Sequence, residues 1–180
     1  MALPATIYKT TIQLSDVDRG IYETLQATVA RHPSETAERL IARLLAYALL
    51  QEPELNFTKG ISATDEPDLW VRGGDGRVLR WVEVGLPEGE RVVKACRHSE
   101  RVTLLACGRM LGSWVQLQLP KLEKLANLTI ICIDQPFIDR LTAQLERSIN
   151  WSITITEGTL YLETGYETME TAIRVKLGSR

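Results

Sequence analysis

Two short apolar runs, residues 69–71 and 78–84, flank the segment Gly73-Gly74-Asp75-Gly76. Glycine reaches the positive-φ conformations of a tight reversal at no steric cost, and the β-branched and aromatic residues on either side favour extended chain. The segment therefore predicts a β-hairpin, the most constraining local feature of the chain. The midpoint between Asp68 and Glu83 falls between Asp75 and Gly76, so an unbulged register puts the two carboxylates directly opposite each other, on one face with Trp70 and Trp81. Like charges at that separation raise at least one pKa unless a cation lies between them. The tryptophans have two readings, core packing and base stacking, and the first is the commoner fate of such residues.

A chain of 180 residues, 44% hydrophobic and 24% charged, can bury one sizeable core, and one domain over 1–180 is expected. The longest apolar run, LIARLLAYALL, is interrupted by Arg43 and falls short of the roughly 18–20 residues that span a bilayer. The start, MALPATIYKT, has no basic stretch followed by an apolar segment, so the cytoplasm is the expected compartment. Cys96, Cys107 and Cys132 are odd in number, far apart and set among apolar residues, which favours small buried hydrophobes over a disulfide framework or a zinc site. A net charge of −2 argues against coating nucleic acid, while leaving room for a local basic groove.

Alternation over 5–14 and 22–29 predicts a hairpin around the polar loop 15–20, whose acids, Asp18 included, read first as turn chemistry. Pro33 and Ser34 predict the start of a helix with Glu35 and Glu38 in its first turns and an apolar arc of Ala37, Leu40, Ile41, Leu44, Leu45 and Ala48. Glu35 is expected to pair with Arg39 one turn on; Glu38, at the border of the arc, is placed to cap the helix or to aim a carboxylate along a sheet. A short run at 55–58 leads through Lys59-Gly60 to the central hairpin. Beyond it the pattern predicts a helix over 88–101 with Arg91, Lys94, Arg97, His98 and Arg101 as a basic stripe, and a buried strand over 102–106. There follow a helix or extended stretch over 109–119, a strand over 128–133, a helix over 137–149, a hairpin of 151–155 with 159–163, and a last strand over 171–177. This order fits an α/β fold built on an α+β mixed sheet with helices on both faces.

Two facing acids, with the carbonyl of Val84 beside them, offer the hard oxygen ligands that Mg²⁺ prefers. Pro67-Asp68, fourteen residues, then Glu83-Val84 on the second strand of a hairpin preceded by a helix resembles the PD-(D/E)XK nuclease superfamily. Over the whole chain, MALPATIYK, ARHPSETAERLIARLLA, LNFTKGISATDEPDLW, WVEVGLP and KAC resemble the YaeQ family, a variant branch of that superfamily. The resemblance implies a restriction-endonuclease-like core with additional N- and C-terminal hairpins. It implies Asp68 and Glu83 as ligands of Mg²⁺ or Mn²⁺ and phosphodiester hydrolysis of nucleic acid. The lysine expected two residues after the glutamate is absent, since position 85 is glycine, and the family resemblance implies Lys94 from the following helix as its substitute.

The leading expectation is thus a Mg²⁺-dependent nuclease with Asp68, Glu83, Lys94 and Glu38 at its site and Arg91, Arg97 and Arg101 on phosphates. The alternative is a catalytically inactive module that binds nucleic acid or a protein partner, suggested by Gly85 and the acidic balance. A Ser or Cys hydrolase has no nucleophile elbow or Cys/His context to support it.

Overall fold

The structure is a computed structural model that describes residues 4–59 and 65–180. The expected link through Gly60 lies outside the described residues. In chain order the elements are β1 (Thr6–Asp16), β2 (Ile21–Arg31), α1 (Ala37–Leu49), β3 (Asn56–Phe57), β4 (Leu69–Arg72), β5 (Val78–Val84), α2 (Gly89–His98), β6 (Ser99–Ala106), α3 (Leu111–Leu122), β7 (Leu128–Cys132), α4 (Gln135–Ala143), β8 (Ser148–Thr156), β9 (Thr159–Glu163), β10 (Thr168–Ala172) and β11 (Arg174–Leu177).

The fold is mixed α+β, and the early and late hairpins, which the sequence leaves free to extend or to flank the central sheet, form a second sheet of their own. A five-stranded sheet runs β10-β9-β8-β1-β2 and a six-stranded sheet runs β11-β7-β6-β5-β4-β3. The reason lies in the burial periodicity. Tyr8, Thr10, Ile12 and Leu14 of β1 are buried in alternation, as are Ile149, Trp151, Ile153 and Ile155 of β8, so these strands have one face for a core and one for solvent. Residues 102–106 of β6 are buried without a break, because that strand is covered on both sides. The early and late hairpins meet where β1 pairs in parallel with β8, Lys9 opposite Ser148 through Asp16 opposite Ile155.

Helices α1 and α4 lie between the two sheets in one hydrophobic core; α2 and α3 cover the far side of the six-stranded sheet in a second core with Val102, Leu104, Ala106, Leu128 and Ile130. The one-sided apolar arc predicted for α1 is therefore incomplete. Ala42, Ala46 and Leu49 are buried as well as Leu40, Ile41, Leu44, Leu45 and Ala48, as a helix packed on two faces requires. Arg43 is buried with them, 1% exposed, and its guanidinium Nη1 donates to both carboxylate oxygens of Glu35 at 3.1 and 3.2 Å.

Several boundaries move. Pro33 and Ser34 precede α1, whose N-cap is Thr36, with Oγ1 accepting from Arg39 N–H; Glu35 thus lies before the helix and turns inward to Arg43, not to Arg39. α2 ends at His98 because Ser99 already pairs with Val78 on β5, and Arg101, opposite Arg80, stands on β6 outside the basic stripe. Residues 111–122 are helical through Pro120, which removes a single ladder donor. α4 stops at Ala143, since 148–150 are taken up by pairing with β1. The strand predicted over 171–177 is two strands divided at Ile173, one in each sheet. Among the described residues no helix is long and apolar enough to cross a membrane.

Removing one member of a buried ion pair leaves the other charge uncompensated. Arg43→Ala is expected to lower unfolding stability by about 3–5 kcal/mol in urea titrations. Replacing both partners, as Arg43→Met with Glu35→Leu, should cost less than either single change.

Candidate active site

The register Leu69 opposite Val82, Trp70 opposite Trp81 and Val71 opposite Arg80 is the one expected from the sequence; the irregularity comes later, between Val71 and Arg72, at the glycine turn. Asp68 precedes β4, with its N–H donating to the Val82 carbonyl at 2.9 Å and its own carbonyl accepting from Thr58 N–H at 3.1 Å. Strand β3 on one side and β5 on the other thereby pin its backbone.

Asp68 is 1% exposed and Glu83 3% exposed. They are close enough for each other's charge to matter, yet separate cations neutralise them from opposite sides of the sheet. Asp68 Oδ1 accepts from Arg39 Nη2 at 2.7 Å and lies 3.8 Å from Arg43 Nε, both from α1, and Asp68 Oδ2 accepts from Val84 N–H at 2.8 Å. Glu83 Oε1 accepts from Trp81 Nε1 at 2.8 Å and from Arg91 of α2, whose Nη2 lies 2.7 Å away. Burial pushes the Glu83 carboxyl above its ordinary range. Arg91 opposes that rise and the negative charge of Asp68 adds to it.

The Val84 carbonyl accepts from Arg39 Nη1 at 3.2 Å. Asp68 Oδ1 and Val84 O, two of the predicted metal ligands, therefore converge on one cation, the Arg39 guanidinium. Among the described residues there is no group of three or more His, Cys, Asp or Glu side chains able to hold a metal. Asp68 Oδ1 and the Val84 carbonyl are oxygen donors of the kind Mg²⁺ takes with water completing its shell, so these residues would fit a hard divalent ion in the place of the Arg39 guanidinium.

Beyond Gly85 a groove of about 340 Å³ opens, lined by Glu38, Arg39, Val84, Gly108, Arg109 and Gln135 among others. It lies at the C-terminal ends of β5, β6 and β7, where the chain leaves β6 for α3 on one face and β7 for α4 on the other, a place where open parallel sheets form crevices. Glu38 is half-buried, lines this groove and makes no ion pair among the described residues. Cys107 also borders the groove, but burial pushes its thiol up to about 11, which leaves it without thiolate at neutral pH.

The remaining predicted residues divide. Lys94 is largely exposed and pairs at 3.3 Å with the equally exposed Asp65, in a cleft of about 290 Å³ shared with Trp81, Arg91, Ala95 and His98. It touches neither Asp68 nor Glu83. Arg91, expected on phosphate, is engaged by Glu83 and the Glu66 carbonyl. Arg101 pairs with Glu52, whose other oxygen takes Arg80. Arg97 is exposed, without an ion pair among the described residues, in a groove shared with Lys121 of α3. Trp70 and Trp81 are half-buried, faced by Arg72 and Arg91 respectively. Asp18 serves a turn, though not its own 15–20 turn: it accepts from the N–H groups of Glu157 and Gly158 between β8 and β9. The residue that sequence reasoning missed is Arg39, which the spacing pairs with Glu35; the signal that could have found it is the missing side chain at Gly85.

A family model for the YaeQ protein matches residues 1–173. Uncharacterized YaeQ proteins of Salmonella typhi and Escherichia coli are 37% and 36% identical over 171 residues, covering 94% of each chain. Crystal structures of YaeQ proteins from Xanthomonas axonopodis pv. citri and Pseudomonas syringae superpose with a TM-score of 0.93 each, at 33% and 39% identity. The first covers 97% of this chain and 99% of its own, the second 99% of both.

Because the Glu83 pKa is raised on folding, the stability linked to it is fully present below the ordinary value near 4.5 and is lost as pH rises through the raised one. Urea titrations of the wild-type chain and Glu83→Gln from pH 4 upward should diverge in that window, the variant lacking this decline.

Proposed function

The chain belongs to the YaeQ family, and we propose that it is a nuclease-like hydrolase of nucleic-acid phosphodiesters, a variant of the PD-(D/E)XK arrangement. The observation that carries this reading is the convergence of Asp68 Oδ1 and Val84 O on a single cation position beside the protonation-prone Glu83. Asp68, Glu83 and the Val84 carbonyl would hold Mg²⁺ or Mn²⁺. When bound, such an ion neutralises charge on a phosphate and lowers the pKa of a water.

The chain's own residues then divide the remaining work. The two environments differ, with Asp68 set among two arginines of α1 and Glu83 held by Arg91 and Trp81. Glu38, without an ion pair among the described residues, lines the groove beyond Gly85 and would orient a water or complete the ligand set. Lys94 and Arg97 lie on the exposed side of α2, where lysine and arginine hold phosphates without reading bases. Arg91 and Arg101 are held by Glu83 and Glu52, and reach a strand only by leaving them. We place this activity in the cytoplasm, whose reducing conditions suit three unpaired cysteines.

A second reading, an inactive module binding nucleic acid or a protein, is favoured by one observation: Arg39 and Arg91 already neutralise both acids without a metal. Single- and double-stranded DNA and RNA incubated with and without Mg²⁺ or Mn²⁺ separate the two. Metal-dependent cleavage that falls by roughly 10²–10³ in Asp68→Asn and Glu83→Ala supports the nuclease. Salt-sensitive binding with no metal uptake at millimolar concentrations supports the module. A metal ligand must be deprotonated, so Mn²⁺ affinity measured by calorimetry should rise with pH through the raised Glu83 pKa, with proton release on binding falling away as pH passes it.

A further inference from the structure

We propose that Arg39 does the work of the lysine absent at Gly85, holding Asp68 in the resting protein and contacting the scissile phosphate once a divalent cation takes that carboxylate. This rests on the nuclease reading and assigns the phosphate-side cation to α1 rather than to Lys94.

The first argument is spatial. A Cβ built on Gly85 would lie 3.6 Å from Arg39 Nη1, in van der Waals contact, so the guanidinium stands next to the point where a side chain at position 85 would begin. From there it spans Asp68 Oδ1 and Val84 O. The backbone explains why the cation comes from elsewhere. Gly85 has φ +94°, outside the range an L-residue adopts without strain, while its N–H donates to the Leu105 carbonyl at 3.0 Å and fixes the bend. Lysine at that position would strain the end of β5.

Freedom to move distinguishes Arg39 from its neighbours. The Arg43 side chain is 1% exposed and committed to Glu35, whereas that of Arg39 is 31% exposed and lines the groove where a strand would pass. The buried Arg39 Nε has no hydrogen-bond partner among the described residues, so one of its five donors is unused in the resting arrangement. Asp68 Oδ1 and Val84 O, the acceptors of Arg39, are also the groups that would hold a divalent cation, and Arg39 freed from them would offer its planar fork to the two free oxygens of a phosphodiester in the same groove. Arginine stays protonated, so this role is charge stabilisation and positioning without proton transfer.

The test compares wild type with Arg39→Ala, Arg39→Gln and Arg39→Lys, measuring Mn²⁺ affinity by calorimetry and cleavage at saturating Mn²⁺. Removing the competing cation should tighten Mn²⁺ binding severalfold in Arg39→Ala and Arg39→Gln, while cleavage falls by roughly 10²-fold. Arg39→Lys should keep cleavage within about tenfold of wild type, since it retains the charge but not the fork. Arg39→Gln, which leaves Asp68 a polar partner, decides the matter if the alanine variant fails to fold. A purely structural arginine gives the opposite pattern, metal affinity and cleavage falling together, and overturns the proposal. Unchanged cleavage in Arg39→Gln, with cleavage abolished in Lys94→Ala, overturns it as well. A wild-type chain that neither binds Mn²⁺ nor cleaves overturns the nuclease reading and this inference with it, whereas wild-type cleavage with a silent Arg39 overturns this inference alone.

Discussion

A guanidinium buried in the middle of a helix packed between two sheets must be neutralised by acids from outside that helix, and Arg43 sets this condition for the whole molecule. It sits between two sheets, 1% exposed, where an unpaired charge is untenable. Glu35, from the turn before α1, supplies one partner and Asp68, from the start of the central hairpin, lies within ion-pair distance as the second. The Thr58 carbonyl accepts from Nη2 and the Phe57 ring lies 5.4 Å from the guanidinium carbon. One side chain thereby ties the approach to α1, the short edge strand β3 and the hairpin together, and the position of Asp68 follows from that tie.

The candidate site inherits this electrostatics. Asp68 belongs to the α1 side, facing Arg39 and Arg43, and Glu83 to the α2 side, facing Arg91 and Trp81. Two acids that a flat hairpin would place face to face are thus neutralised separately, which lets both be buried without an ion. The arrangement holds its charges in balance, with Asp68 Oδ1 and the Val84 carbonyl both engaged by Arg39.

Location reinforces chemistry. The groove beyond Gly85 lies at the carboxyl ends of three parallel strands, with α3 and α4 departing to opposite faces, so backbone geometry alone leaves a crevice there. The five-stranded sheet contributes no residue named at the site. It covers the outer side of α1 and α4, and so makes α1 a rigid platform from which Arg39, Arg43 and Glu38 project.

Much of this was legible in the residues themselves. The glycine-rich turn and the alternation around it specified the central hairpin and its register at the acid end, because a period of two leaves little choice once one face is apolar. Phe137 and the helical spacing after it marked α4, and the unbroken apolar run at 102–106 marked a strand buried on both faces. Asp68 and Glu83 stood out as acids in apolar surroundings. What local pattern could not carry was anything that depends on partners distant in sequence. The second sheet depends on β1 finding β8, the pairing of Arg43 with Glu35 on an inward turn before the helix, and the displacement of Arg101 from α2 on the pull of β5. The sequence by itself determined that two carboxylates would meet near a glycine where a cation was missing. Only the tertiary structure decided that the cation is Arg39, because a helix four residues past Glu35 reads as surface until a second sheet closes over it and leaves Asp68 as its nearest counter-charge.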